Sequence, residues 1–427
     1  MQFLVARGIA FNVKGGGHST SQNSCAPSPE GAVLDLSLLR DVSVDAAKQT
    51  VTFGGGCLWG DVDDALWEEK LATVGGTVSH TGVGGLTLHG GFGVLSGLYG
   101  LTIDCLLSAE VVLASGKIVT ASESENTDLF WAIRGAGSSF GVVTSFTSRA
   151  FPQGDIWGGA MIFTEDKLPG LVDFFNFWAA NNDGRQTAIM GLWHAPPGPI
   201  PDAPRPPAIM LQVAHVGDNP SNEGPKFFSR LIELEPIMKQ VGTLPYPAIN
   251  KVGDNDTFPP GQRYLFGGSN FKTPLSLKTV EAIRDKFYAF STSHPGAGSE
   301  GSICLFEGIP RTKTQYVPTD SMAFNNRGDY YNIGIAWTWE DVSLDGDIRS
   351  YNRQFQQEIR KMGYDDADYT DGVGRYLNYE STGTMSAEAA FGANGQRLRE
   401  LKQKYDPNNV FDKLWKLIPQ TEEQLAS

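Results

Sequence analysis

The chain has 427 residues, 41% of them hydrophobic and 19% charged, a composition suited to a globular protein with more than one core. Its 48 acidic residues outnumber 34 basic ones for a formal charge of −14, which argues against nucleic acid or an anionic membrane surface as partner. No apolar run is long enough to span a bilayer, and Cys25, Cys57, Cys105 and Cys304 lack metal or redox spacing and read as buried thiols or one disulfide.

A short helical segment at 3–6 opens the chain, stopped by Gly8 and followed by a strand at 11–13. It has no basic n-region, so no signal peptide is expected. Up to about residue 150, β-type runs at 32–35, 50–53, 109–113 and 142–146 alternate with the glycine clusters GGGHS, FGGGC, VGGTVSHTGVGG, HGGFG and RGAGSSFG. In the last cluster a helix at 128–134 comes first and a strand follows, the reverse of a dinucleotide fingerprint, and Gly141 falls one residue late for GxGxxG. No GKS or GKT is present either. The clusters therefore read as loop N–H groups that cradle an anion, or as tight turns in a β-rich domain. Beyond residue 151 the pattern changes to amphipathic helices at 168–180, 225–234 and 277–290. PPGPIPDAPRPP, 196–207, reads as a stiff loop between two strands. In YYNIGIAWTWE, Tyr331, Ile333, Ile335, Trp337 and Trp339 share one strand face, opposite Asn332, Gly334, Ala336 and Thr338. A helix at 345–361 carries the stripe Ile348, Tyr351, Phe355, Ile359 and Met362, and a final helix at 394–405 is stopped by DPNNVFD. The single sequon Asn255-Asp256-Thr257 is too weak a signal to assign secretion.

Taken in order, GGGHS, DLSLLRDVSVD, GGGCLWGDVDDAL, TGVGGLTLHGGFGVLSGLYGLTID and SAEVVLASGKIVTASESENTDLFWAIRGAGSSFGVVTSF resemble successive signatures of the berberine-bridge-enzyme-like FAD-linked oxidases of the vanillyl-alcohol-oxidase superfamily. RYLNYE and YDPNNVF resemble the C-terminal segment of that group. The likeness is nearly continuous over 4–151 and only general over 152–365. It implies an α+β class and a two-lobe PCMH-type FAD-binding fold, with a large antiparallel sheet in the substrate lobe. Residues 1–151 would form the FAD-binding domain, lacking first strands that in the family precede the equivalent of Phe3; 152–370 would form the substrate-binding domain. Residues 371–427 would return to the FAD lobe.

The resemblance also assigns a site. His18 stands where the family bonds covalently to the flavin 8α-methyl, and a neutral imidazole is a suitable nucleophile. Lys14, Gly15, Gly16, Gly17 and Ser19 around it are implied FAD contacts, as are Thr81, Gly82, Val83, Gly84, Gly85, Leu86, Phe92, Gly141, Val142 and Asn378. His80 either contacts the flavin or caps a loop, and His89 stands where a glycine is common. Val78 occupies the place of a second, cysteine tether in many members, so a single attachment through His18 is implied. Thr81 replaces an aliphatic residue at the position associated with oxygen access, and Leu414 and Lys416 stand where relatives carry asparagines.

Tyr379 is implied as the catalytic base and Tyr376 as a flavin or substrate contact; packing in an aromatic core is the alternative for both. A phenol needs a cationic neighbour or the oxidised flavin to ionise usefully, and Arg375 is the candidate neighbour. In a regular strand residues 376 and 379 face opposite sides, so the backbone there is expected to be irregular. His194, His215 and His294 read as surface or core residues. The implied activity takes a hydride from a small-molecule substrate (an alcohol, amine, phenolic or sugar) with O₂ as acceptor, and Trp337 and Trp339 suit an aromatic or sugar ring. The alternative is a flavin scaffold without net redox turnover, such as a cyclase or a binding protein.

Overall fold

The computed structural model describes residues 1–24, 30–195, 205–254, 263–294, 301–363, 376–381 and 385–418. Alternating apolar positions in the first part of the chain build a five-stranded antiparallel sheet in the order Val42–Asp45, Thr50–Gly54, Val142–Arg149, Leu106–Val112, Ile118–Ser122. Its inward side chains, Phe53 and Phe146 among them, pack on helices Trp59–Glu68 and Thr127–Ala136. The segment after residue 376 joins the same core. Leu377, Phe391, Leu398 and Trp415 are buried with Phe53, Trp59 and Phe130. A separate parallel pair, Phe11–Lys14 with Ala32–Asp35, leads into the GGGHS loop.

The second sheet has seven strands, all antiparallel, in the order Met238–Leu244, Ile156–Phe163, Pro207–His215, Gln186–His194, Ile303–Gly308, Tyr331–Trp339, Arg263–Phe271. Helices Leu168–Asn181, Leu277–Ser293 and Asp345–Gly363 bury one face of it. The helix stripe read from sequence is the buried one: Ile348, Phe355 and Ile359 are sealed against Trp337 and Phe287. This burial drives the packing, because each such side chain removes apolar surface worth roughly 1.5–3 kcal/mol. The opposite face packs on the first part of the chain, Ile189 with Phe92 and Ile103, and Ile156 with Val74.

Several expectations change on contact with the structure. The helix expected at 225–234 starts earlier and breaks, as Pro220–Phe227 and Ser229–Glu233. Phe228 leaves helical geometry at the break and buries its ring against Trp157, 5.5 Å between centroids. Trp337 and Trp339 do not present themselves to a ligand: both are buried under the helices, and Trp337 Nε1 donates to Asn352 Oδ1 at 3.2 Å. A helix at Trp59–Glu68, unmarked in the sequence reading, fills the first core. Cys57, Cys105 and Cys304 are free and buried, whereas Cys25, the sequon at 255–257, most of the proline-rich loop and Arg375 lie outside the described residues. Among the described residues no helix is long and apolar enough to cross a membrane.

Part of the middle segment packs back against the first core. Ala323 is buried in it, Trp131 Nε1 donates to the Asp320 carbonyl at 2.8 Å, and Arg327 reaches Asp104 with Nη2 at 2.7 Å and Nη1 at 3.1 Å. That ion pair is buried on both sides. Removing one partner leaves the other charge uncompensated, so Arg327→Ala should lower stability by roughly 3–5 kcal/mol. A urea unfolding series should show a lower midpoint with an unchanged slope.

Candidate active site

The loop after strand Phe11–Lys14 carries Gly15, Gly16, Gly17 and His18. Gly16 lies against the second glycine loop so closely that a Cβ there would sit 2.5 Å from Gly82 Cα. Two backbones can meet at that distance only without side chains. Among the described residues the backbone N–H groups of Gly15, Gly16 and Gly17, and those of Gly84 and Gly85 at the start of helix Val83–Leu88, donate to no protein acceptor. A cluster of free N–H groups on facing loops is an anion cradle, and it fits the pyrophosphate of a dinucleotide cofactor. A Cβ on Gly85 would meet no atom within 4 Å, so space lies open above it.

His18 closes one end of this cradle. Its Nε2 is 2.7 Å from His80 Nδ1, with the rings stacked at 4.8 Å. Burial, then the neighbouring His80, pulls the His18 imidazole down to about 4, so it is neutral near pH 7. The strand Arg263–Phe271 of the second sheet holds the loop from above. Tyr264 Oη donates to the His18 carbonyl at 3.1 Å, and the Phe266 N–H donates to Thr20 Oγ1 at 3.0 Å. The loop with Val78, His80 and Thr81 is clamped likewise: the Ser79 N–H donates to the Asn250 carbonyl at 2.9 Å, and its hydroxyl to Asp254. His80 thus bonds another site residue, His18.

The Tyr376–Tyr379 segment resolves the spacing problem by its backbone. Residues 377–379 form a 3₁₀ turn, which places positions three apart on one side. The two tyrosine rings meet edge to face at 4.8 Å. Asn378 fixes the turn, its Nδ2 donating to Tyr376 Oη at 2.9 Å and to the Leu86 carbonyl at 3.2 Å. Phe92 lies 4.6 Å from the Tyr376 ring. The ring of Tyr379 packs over a gap in the second sheet where Gly268 and Gly334 are cross-strand partners; a Cβ on Gly268 would fall 2.7 Å from Tyr379 Cβ.

The group that sequence reasoning missed is Glu307. It sits on strand Ile303–Gly308, only 4% exposed, and Tyr379 Oη donates to its Oε1 at 2.6 Å. Its Oε2 has no partner among the described residues. Burial pushes the carboxyl up to about 8, partly offset by the Tyr379 hydrogen bond. The Tyr379 phenol is itself pushed well above 10, by burial first and then by Glu307. A carboxyl stands beside the phenol; Arg375, the candidate cation, lies outside the described residues. An acidic residue inside the apolar run ICLFEG was the available signal.

Other implied contacts take more structural positions. Lys14 pairs with Asp35 at the surface at 2.9 Å, and Ser19 accepts from Ser24 and Ser21 in its own loop. Val142 packs with Phe11 and Phe411, and a Cβ on Gly141 would strike Val111. His89 is buried and neutral, with Nδ1 3.0 Å from the Gly85 carbonyl and Nε2 2.9 Å from Ser138 Oγ. It ties the end of helix Val83–Leu88 to the turn at 137–139. Leu414 packs against the first core, and Lys416 bridges to Ser386. His194 and His215 are buried in hydrogen bonds of the second sheet, while His294 bonds Ser293 beyond the last turn of Leu277–Ser293.

A glycine-lined cradle beside a buried acid and two tyrosines, between two antiparallel sheets, fits an enzyme that holds a dinucleotide cofactor next to a proton acceptor. Residues 1–122 match the FAD binding domain family and residues 375–413 the berberine and berberine-like family. The FAD-linked oxidoreductase pgmH of Aspergillus terreus is 33% identical over 414 residues, covering 92% of this chain and 80% of its own. The FAD-linked oxidoreductase OXR1 of Pyricularia oryzae is 31% identical over 416 residues, with 94% and 78% covered. Among solved structures, 6-hydroxy-D-nicotine oxidase from Arthrobacter nicotinovorans superposes with a TM-score of 0.79 at 25% identity, over 98% of this chain and 88% of that one. The chain belongs to the berberine-bridge-enzyme-like family of FAD-linked oxidoreductases.

The cradle makes a specific prediction. Gly85→Ala adds a methyl group that meets no protein atom at a helical position, so thermal unfolding of protein produced without flavin should come no earlier than the parent's. The same variant should purify with less flavin than the parent, read from the absorbance ratio at 450 and 280 nm. Full flavin content in Gly85→Ala would remove this loop from the cofactor site.

Proposed function

We propose that the chain is an oxidase of small organic substrates bearing a carbinol or amine C–H, with O₂ as final acceptor, and that Glu307 and Tyr379 together take the substrate proton. The hydrogen bond between Tyr379 and the buried Glu307 carries this reading. Bound FAD supplies the two-electron acceptor for the hydride. Residues 15–18 and 82–86 would hold it, with Phe92, Tyr376 and Asn378 alongside.

Magnitudes decide which group ends with the proton. Tyr379 alone would have to ionise with a pKa raised well above 10, a negligible population at neutral pH. Glu307, held at about 8, is ionised in about one molecule in ten at pH 7 and accepts readily. The substrate O–H proton passes to Tyr379 Oη as the phenol gives its own proton to Glu307 Oε1. Burial thus tunes a carboxyl close to working pH, which is what an efficient base requires. Tyr376 positions the substrate through its ring and its bond from Asn378.

We further propose single covalent attachment through His18. In the tautomer where His18 Nε2–H donates to His80 Nδ1, the lone pair lies on His18 Nδ1, where it acts as nucleophile. Residues 1–151 and 371–427 would make one lobe and 152–370 the other. The shared core of Phe53, Phe130, Leu398 and Trp415 supports that division.

Two experiments follow. Anaerobic flavin reduction should accelerate as pH rises through about 8 and level off above it, because Glu307 must lose its proton before it can accept another. Glu307→Gln should abolish that dependence and slow reduction by roughly 10²–10⁴-fold, as should Tyr379→Phe, with Tyr376→Phe milder. A pH profile unchanged in Glu307→Gln would reject the carboxyl as acceptor. Acid precipitation should leave flavin on the parent and release it from His18→Ala.

A further inference from the structure

A cleft beside Tyr376 reaches the face of the second sheet that carries Glu307. Its walls are aromatic, with Phe92, Phe324, Tyr330 and Tyr376. Among the described residues that line it, two side chains are formally charged, Glu307 and Arg311. The nearby Arg327 is already spent on Asp104. Arg311 is not spent. Its guanidinium lies over the Tyr330 ring, 4.6 Å from the centroid, and Nη1 donates to the Tyr330 carbonyl. Its Nε is buried without a partner among the described residues. A guanidinium anchored at one nitrogen with its Nε edge unused matches a planar, two-oxygen anion.

Two other lining residues have complementary needs. Glu307 and Asn332 are cross-strand partners, and Glu307 Oε2 and Asn332 Oδ1 are both buried without a donor among the described residues. A hydroxyl group satisfies such acceptors, and leaving them bare costs roughly 1–3 kcal/mol each. Charge balance points the same way. Burial leaves Glu307 largely neutral at pH 7, so Arg311 sets the net charge of the cleft. One cation balances a monoanion; a phosphate, at about −1.5 to −2, would remain half neutralised.

We propose that the cleft selects aromatic hydroxy acids: the carboxylate docks on the Nε edge of Arg311, the ring lies among Phe92, Phe324 and Tyr376, and the hydroxyl reaches Glu307 and Asn332. Arg311 is then the specificity-determining residue. This rests on the oxidase reading for the site but not on turnover.

The test is equilibrium binding by anaerobic titration calorimetry on the flavin-containing protein, with 4-(hydroxymethyl)benzoate against its methyl ester. The parent should bind the acid at least about tenfold tighter, the usual share of a charged hydrogen bond. Arg311→Met should erase the preference for the acid over the ester. Equal binding of acid and ester, binding of neither, or a preference that survives in Arg311→Met would overturn the proposal. Arg311→Lys keeps the charge and a donor for the Tyr330 carbonyl but loses the planar edge. Should the methionine variant fail to fold, the lysine variant decides: its preference should fall at least threefold, and an unchanged preference overturns the proposal. An acid preference lost in these variants supports the Arg311 site even where the flavin is never bleached, a failure that would count against the oxidase reading alone.

Discussion

The hydrogen bond from Tyr379 to Glu307 joins the C-terminal segment to the second sheet where water is largely excluded. A carboxyl in such a place cannot be both ionised and unpartnered without heavy cost. The surrounding structure meets that constraint at several levels. Helices seal one face of the sheet, and the Glu307 face meets Phe92, Tyr376 and Tyr379. Gly268 and Gly334 thin the sheet at one rung so that a phenol ring can lie against it. The 3₁₀ turn at 377–379 and the side chain of Asn378 aim the hydroxyl. Move any of these and the carboxyl either gains water or loses its partner, and in both cases its affinity for a proton changes.

Legibility in the sequence followed the range of the forces involved. The helix at 345–363 announced its buried stripe because helical period is local, and strand Tyr331–Trp339 did the same by alternation. The glycine clusters were legible as a set, although which backbone approached which was not; the meeting of Gly16 with Gly82 depends on two loops 66 residues apart. His18, Tyr376 and Tyr379 stood in recognisable motifs, and the structure brings His80 to the first and Glu307 to the last. Glu307 and Arg311 escaped because their significance is burial and unspent hydrogen-bonding capacity, which no spacing encodes. The tryptophans misled for the opposite reason. An aromatic strand face signals burial, and burial here meant the side under the helices rather than the side facing a ligand.

The contacts that complete the His18 loop come from far along the chain: Thr20 accepts from Phe266, 246 residues later, and Tyr264 reaches the His18 carbonyl across the same separation. During synthesis at roughly 5–20 residues per second, the histidine loop waits about 12–50 s for the strand that closes over it. Asn378, which ties the far side of the site to Leu86, is separated from it by 292 residues and arrives later still. The loops at His18 and Leu86 therefore acquire these neighbours late, shortly before Phe391, Leu398 and Trp415 complete the first core. A nascent chain halted midway would hold the first sheet but leave the glycine loops without the contacts from Tyr264, Phe266 and Asn378.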